Sequence, residues 1–299
     1  MTVRKDTLFE QFFTPVRGWL VDEQAIRQQR DRIDWQAECD RIQQPDLQYP
    51  HYYHSQNFHG IEGGYLSPTA AVYYDPITQY ALPPNETLVR QGLIDLIVGQ
   101  PRRILDLGCG TGTTTLMLKR AFPAAEVIGL DLSPYMLVVA GEKARNAGLE
   151  IRWQHGQAEA TPFSNTSFDL VTISLLFHET PPTIAQAILQ ESHRLLTVGG
   201  EIVILDGNQQ TLRQLTWLQE IFEEPYIGEY AAESVAAWLG AAGFGAVQAQ
   251  DWWWLHQLIH GTKPLISPDT SRQAVAGQTA PETNAAVDGM PAPAFSSPA

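Results

Sequence analysis

At 299 residues the chain can hold one large α/β domain with an added cap, and 44% apolar with 17% charged residues suits an ordinary buried core. A formal net charge of −14 argues against a nucleic-acid partner, because affinity for that backbone rests on Lys and Arg neutralising phosphates. The acidity also disfavours an anionic membrane surface, and no stretch approaches the roughly 20 apolar residues that span a bilayer. Two cysteines, Cys39 and Cys109, form no Cys-x-x-Cys pair, which leads to an expectation of reduced thiols and a cytoplasmic location. Residues Met1 to Leu20 include Arg4, Lys5, Asp6 and Glu10 and lack an apolar run of signal-peptide length.

Residues 1–84 read as an N-terminal cap or lid. Phe9, Phe12, Phe13, Val16, Trp19 and Leu20 recur at helical spacing, and Ile26, Ile33, Trp35, Cys39 and Ile42 suit the stripe of a second helix. Pro45 and Pro50 then end regular structure. From Tyr49 to Tyr80 the text is rich in Tyr, His and Gly, which suits a lid more than a core, with Gly60, Gly63 and Gly64 as hinges.

Residues 85–266 alternate between strand-like and helix-like segments. Asn85 caps a helix running to about Val98. A buried strand, Arg103 to Leu107, leads through a glycine loop to a helix over Thr113 to Ala121. The strand Glu126 to Asp131 is followed by Ser133-Pro134, an N-cap and first-turn pair. Ile151 and Trp153 mark a third strand and Phe168 to Leu176 a fourth. A helix over Thr183 to Leu196 precedes a fifth strand, Glu201 to Asp206, and a further helix spans Glu233 to Ala242. This rhythm predicts a doubly wound parallel sheet. Val247 to Trp254 and Leu255 to Lys263 leave no room for a crossover helix and should pair antiparallel, giving a seven-stranded sheet with a C-terminal hairpin. Residues 267–299, mostly Ala, Pro, Ser, Thr and Gly, hold too little apolar surface to offset their ordering entropy and are expected to be disordered.

The strongest chemical signal is Asp106-Leu107-Gly108-Cys109-Gly110-Thr111-Gly112, where the first strand ends. Small residues let the backbone turn sharply against a ligand, and open α/β sheets bind ligands in this crevice. Asp131, at the end of the second strand, can accept both hydroxyls of an adenosine ribose. Dinucleotide sites favour G-x-G-x-x-G to face a pyrophosphate. Here the glycines stand at 108, 110 and 112 behind an aspartate, a pattern suited to a ligand with a free amino group and no phosphate.

These motifs resemble those of the class I S-adenosylmethionine-dependent methyltransferases, in the small-molecule group that includes the ubiquinone and menaquinone C-methyltransferases. The likeness runs from about Arg102 to Pro264. Besides the loop it includes Gly129-Leu130-Asp131-Leu132-Ser133-Pro134, the segment His155 to Phe163, Phe168-Asp169-Leu170-Val171, Leu195 to Glu201 and Ala241-Ala242-Gly243-Phe244. It implies a Rossmann-like fold and S-adenosylmethionine as cofactor. Asp106 and the carbonyls of Gly108 and Ser174 would hold the methionine amine, with Gly110 and Gly112 shaping the loop. Asp131 would hold the ribose, Leu132 and Met136 would pack near adenine, and Ala158 would donate its N–H to that ring. Gln157 stands where the family often has Asp and can still accept from the adenine amine through its side-chain carbonyl.

His178, just past the fourth strand and followed by Glu179, is the candidate catalytic base for a phenol, enol or acidic carbon. Tyr52, Tyr53, Phe58 and Tyr65 are the candidate lid and acceptor contacts. No metal is expected: His51, His54, His59 and Glu62 match no familiar zinc spacing. Trp217, Trp238 and Trp252 to Trp254 read as core and interface packing, and His256 and His260 as structural. The favoured function is methyl transfer to a small-molecule acceptor. The alternatives are a non-catalytic binder of the cofactor or its demethylated product, a protein or RNA methyltransferase, and a nicotinamide oxidoreductase. A base- or amide-methylating enzyme would favour an Asn-Pro-Pro-Tyr-like tetrapeptide where Ser174-Leu175-Leu176-Phe177 stands.

Overall fold

A computed structural model describes residues 22–59, 61, 63–81 and 84–265. The expected opening helix at Phe9 to Leu20, Gly60, Glu62 and the C-terminal tail lie outside them.

The first described elements are helical. The single helix expected over Ile26 to Ile42 is two, α1 (Glu23–Arg32) and α2 (Trp35–Ile42). Asp34 separates them because its carboxylate accepts from the backbone N–H of Ala37, capping a new helix. A short turn α3 (His51–His54) and the longer α4 (Pro68–Ala81) follow. α4 falls within the segment expected to be a lid. Its Ala70, Ala71 and Val72 are buried with Phe58, Ile61 and Tyr65 from the loop before it, and with Met136 and Val139 from farther along the chain. Aromatic richness marked a second core rather than a free loop.

Helix α5 (Glu86–Asp95) starts where Asn85 accepts from Leu88 N–H. The alternation then runs β1 (Arg103–Leu107), α6 (Thr113–Ala121), β2 (Glu126–Asp131), α7 (Pro134–Asn146), β3 (Arg152–His155), β4 (Phe168–Ser174), a 3₁₀ turn Phe177–Glu179, α8 (Pro182–Leu195) and β5 (Leu196–Gly207). Three short helices that the sequence pattern did not reveal follow: α9 (Gln209–Gln214), α10 (Thr216–Phe222) and α11 (Ile227–Ala232). Each has at most seven residues, too few for a helical period to stand out. Helix α12 (Val235–Ala241) precedes β6 (Gly245–Trp252) and β7 (His256–Thr262).

The sheet order is β3-β2-β1-β4-β5-β7-β6. The first five strands are parallel, and β7 pairs antiparallel with both β5 and β6. Chain order reverses between β1 and β4, so the crevice above their carboxyl ends is the natural ligand site of such a sheet. Alternate strand residues feed two cores. Leu105, Leu107, Ile128, Leu130, Val171, Ile173, Ile202 and Ile204 pack toward α8, α11 and α12. Ile104, Val127, Leu170, Val203 and Leu205 pack toward α5 and α6. The tryptophans divide. Trp238 is buried and Trp252 donates its indole N–H to the Val89 carbonyl at 3.0 Å, whereas Trp217, Trp253 and Trp254 are exposed.

Gly112, the N-cap of α6, has φ of +77°, and a Cβ there would stand 2.6 Å from the Trp153 ring. Left-handed backbone costs a residue with a side chain about 1–2 kcal/mol, and overpacking about 1–3 kcal/mol more. Gly112→Ala is therefore expected to lower unfolding stability by about 2–5 kcal/mol in a urea titration. A change below about 1 kcal/mol would show that the loop adapts freely.

Candidate cofactor and acceptor site

The loop 108–112 turns with positive φ at each of its three glycines. It is tied to β2 twice: Cys109 N–H donates to the Leu130 carbonyl at 3.0 Å, and Gly110 N–H to Asp131 Oδ2 at 2.7 Å. The other Asp131 oxygen accepts from Ser133 N–H at 2.8 Å, while the Ser133 hydroxyl accepts from Met136 N–H and donates to the Tyr65 carbonyl. Ser133 thus caps α7 and anchors the cap in one step.

A cavity of about 70 Å³ lies above these strand ends. Gly108, Gly110, Leu130, Asp131, Leu132, Met136, Gly156 and Ala158 form its floor and far wall. Tyr52, Tyr53, Phe58, Tyr65 and Tyr74 roof it, and Leu175, Leu176, Glu179, Thr180 and Ile188 close the near side. The rings of Phe58 and Tyr65 stack at 5.4 Å, and Tyr65 meets Tyr74 edge-on at 5.7 Å. Burial raises the hydroxyl pKa values of Tyr52, Tyr53, Tyr65 and Tyr74, so these groups remain neutral phenols. Tyr52 donates to Glu159 at 2.9 Å and Tyr65 to Glu179 at 2.7 Å.

Five expected site residues stand apart from that lining. Asp106 shares the face of Ile104, because strand side chains alternate, and so points down toward α6 instead of into the cavity. Its oxygens accept from the hydroxyls of Thr115 at 2.6 Å and Thr172 at 2.8 Å. The expected contact of this carboxylate with an amine is therefore not among the contacts of the cavity lining. Gly112 packs under Trp153. The Gln157 amide donates to the Gln48 carbonyl at 3.2 Å, turned toward the N-terminal segment instead of the cavity. The Ser174 hydroxyl lies 3.1 Å from Arg90 and 3.0 Å from Thr114.

The fifth is His178. Its Nδ1 is 2.6 Å from the buried Asp206, outside the cavity wall. Burial pulls its pKa down, but the charge and hydrogen bond of Asp206, with Glu179 and Glu224 nearby, win and raise it to about 9. The contact with Asp206 favours the protonated ring, and the expected role of His178 as a base is not supported by its place outside the cavity lining. Glu179, which the sequence pattern offered only as the neighbour of His178, lines the cavity along with Asp131 and Glu159.

Two more residues were not among the expected site residues. Arg90 on α5 is buried and donates to Glu86 at 2.8 Å, Thr114 at 2.7 Å and Ser174, joining α5, α6 and β4 beneath the site. His155 accepts from Gln44 N–H at 3.1 Å and contacts the Leu132 carbonyl at 3.0 Å, tying the N-terminal segment to the end of β3. His51 and His54, by contrast, are exposed on α3. Cys39 and Cys109 are both free. No helix among the described residues is long and apolar enough to cross a membrane.

With this geometry in place the class of the domain is defined. Residues 104–200 match the family model described as a methyltransferase domain, and the sheet that carries them is of the Rossmann-like α/β type. More particularly, it is similar to demethylmenaquinone methyltransferases. That of Thermus thermophilus is 42% identical over 118 residues, covering 39% of this chain and 53% of that protein. That of Geobacillus kaustophilus is 37% identical over 142 residues, 46% of this chain and 60% of the relative. The chain therefore spans little more than half the length of these relatives. Among solved structures, human N-acetylserotonin methyltransferase in complex with SAM has a TM-score of 0.53 at 17% identity, covering 67% of this chain and 58% of that one. Phosphoethanolamine N-methyltransferase 2 of Haemonchus contortus, also with S-adenosylmethionine, has a TM-score of 0.52 at 15% identity, covering 67% and 58%. At such identities the likeness establishes the fold.

Asp106 is pushed from its ordinary value near 3.8 to about 6 by burial, against the pull of Thr115, Thr172 and Arg90. A carboxyl whose folded pKa is raised adds stability below pH 4 and loses that contribution as pH rises through about 6. Asp106→Asn should therefore gain about 3 kcal/mol relative to the unaltered chain between pH 4 and pH 8, since about 1.4 kcal/mol attends each pH unit of the window. Denaturant titrations of both proteins at the two pH values measure this, and parallel stability profiles would refute the assignment.

Proposed function

We propose that the protein transfers a methyl group from S-adenosylmethionine to a small-molecule acceptor held beneath the aromatic cap, in the cytoplasm. Residues 1–84 serve as cap and residues 85–266 as cofactor domain. The observation that carries this reading is the Asp131 carboxylate. It lines the cavity at the end of β2, fixed by two backbone N–H groups, beside side-chain-free Gly108 and Gly110.

The residues present fit an uncharged nucleoside better than a pyrophosphate. Asp131 retains free lone pairs for vicinal hydroxyls, since a carboxylate offers about four acceptor sites and two are used. Leu132, Met136 and Ala158 supply apolar walls for a base, and the backbone around Gly156 and Ala158 borders the same space. An anionic diphosphate would meet Asp131, Glu159 and Glu179 instead of cationic groups. When bound, S-adenosylmethionine supplies a methyl group already activated by its sulfonium.

The chain's own task is then positional. Holding acceptor and donor in line contributes roughly 7–11 kcal/mol in favourable systems. Tyr53, Phe58, Tyr65 and Tyr74 exclude water from the reacting pair and favour a planar, largely apolar acceptor; aromatic faces also attract a cationic sulfonium. Because the tyrosines stay protonated, they orient and donate. Glu179, held by the Tyr65 hydroxyl, is the anionic group on the acceptor side. Similarity to demethylmenaquinone methyltransferases supports a ring acceptor bearing oxygen substituents.

Titration calorimetry should show S-adenosylmethionine binding and no comparable binding of NAD. Asp131→Ala should weaken the former about 10- to 100-fold, as expected for losing a charged acceptor worth about 1.5–3 kcal/mol. Equal affinity in the variant would remove Asp131 from the site. Incubation with cofactor and the producing cell's metabolite extract should yield a product heavier by one CH2 unit by mass spectrometry. Binding without any such product would favour the non-catalytic sensor instead.

A further inference from the structure

The geometry points to a divalent transition-metal site formed by His59, His178 and Glu179, at the edge of the acceptor cavity. One ligand atom from each of the three residues lies within 4.8 Å of the other two. The Nε2 atoms of His59 and His178 stand 3.4 and 4.0 Å from the same oxygen, Glu179 Oε1. A tetrahedral ion with bonds of about 2.1 Å sets its ligand atoms about 3.4 Å apart. Small side-chain shifts close the cluster.

The outer contacts make the cluster more than a chance meeting. Imidazoles that bind metals through one nitrogen hold the other against a carboxylate or carbonyl, which fixes ring orientation and tautomer. Both rings here do so. His178 Nδ1 is 2.6 Å from Asp206, and His59 Nδ1 is 2.9 Å from Glu224 and 3.2 Å from the Phe222 carbonyl. With Nδ1 engaged outward on each ring, Nε2 is the nitrogen left for an ion. The second oxygen of Glu224, on the far side of His59, is buried with no hydrogen-bond partner. Asp206, Glu179 and Glu224 thus surround the two imidazoles.

Two nitrogens and one carboxylate oxygen suit Zn2+, Fe2+, Co2+ or Mn2+ over Mg2+ and Ca2+, which take oxygen ligands. Neither cysteine belongs to the cluster. Three protein ligands leave a coordination position open, and Glu179 brings it to the cavity wall. An acceptor hydroxyl or enol oxygen bound there would lose its proton more readily. That role rests on the methyltransferase reading, whereas metal binding does not and is tested without cofactor or acceptor.

Chelator-treated, untagged protein is titrated with Co2+ and followed by visible absorption. One equivalent should produce d–d bands without the intense near-ultraviolet absorption of thiolate ligation. His59→Ala, His178→Ala and Glu179→Gln should each lose stoichiometric binding, and Asp206→Asn should weaken it about 10- to 100-fold. His54→Ala, altered at an exposed histidine, should bind as the unaltered chain does. Absence of stoichiometric Co2+ and Zn2+ binding by the unaltered protein overturns the site, as does full binding by both His59→Ala and His178→Ala. Circular dichroism verifies folding of each variant, and if they misfold the unaltered titration decides alone.

Discussion

The site depends on one contact, the Asp131 carboxylate accepting the Gly110 N–H at 2.7 Å. It spans two adjacent parallel strands at their carboxyl ends, so β1 and β2 must be in register before it can form; Leu107 lies opposite Leu130 in that register. The glycine loop then has a fixed curvature, and the carboxylate has a fixed direction. Backbone donors are rigid partners, so the acceptor group is pre-organised before any ligand arrives. Ser133 extends the constraint by holding α7 and the cap at the same point.

Below that contact the strand ends hold polar groups that would be costly if unpaired. Asp106 is satisfied by two threonine hydroxyls, and Arg90 by Glu86, Thr114 and Ser174. Buried networks of this kind fix geometry more than they add stability, and removing one member leaves a charge uncompensated. Their position beneath the loop keeps its floor from shifting. This gives Asp106 a supporting role for the site even though its side chain faces away from the cavity.

The cap is both a core and a wall. Lys143 of α7 pairs with Asp75 of α4 at 2.6 Å, Thr111 of the loop contacts the same carboxylate, and Gln29 reaches Glu142 at 3.0 Å. These ties bind N-terminal helices to the cofactor loop and to α7. The aromatic roof accordingly sits at a defined height over the strand ends. On its far side, the roof residue Tyr65 and the two histidines all converge on Glu179, which joins the cap to the turn after β4.

By itself the sequence determined the alternating elements from Asn85 onward, the antiparallel final pair and the glycine loop with Asp131. Each is a local matter: β1, α6 and β2 have the bounds expected from runs of β-branched and apolar residues between glycine and proline stops, and Ser133-Pro134 starts α7 as a cap pair must. Gly108, Gly110, Asp131, Leu132, Met136 and Ala158 come together because parallel strands end on one edge. Tertiary structure alone decided the remainder. Strand alternation cannot say which face looks onto a ligand, so Asp106 turned inward and His178 met Asp206, a residue distant in sequence. The burial of Phe58, Ile61 and Tyr65, the placement of Arg90 and the meeting of His59 with Glu179 and Glu224 all depend on contacts between separate segments, which no local period records.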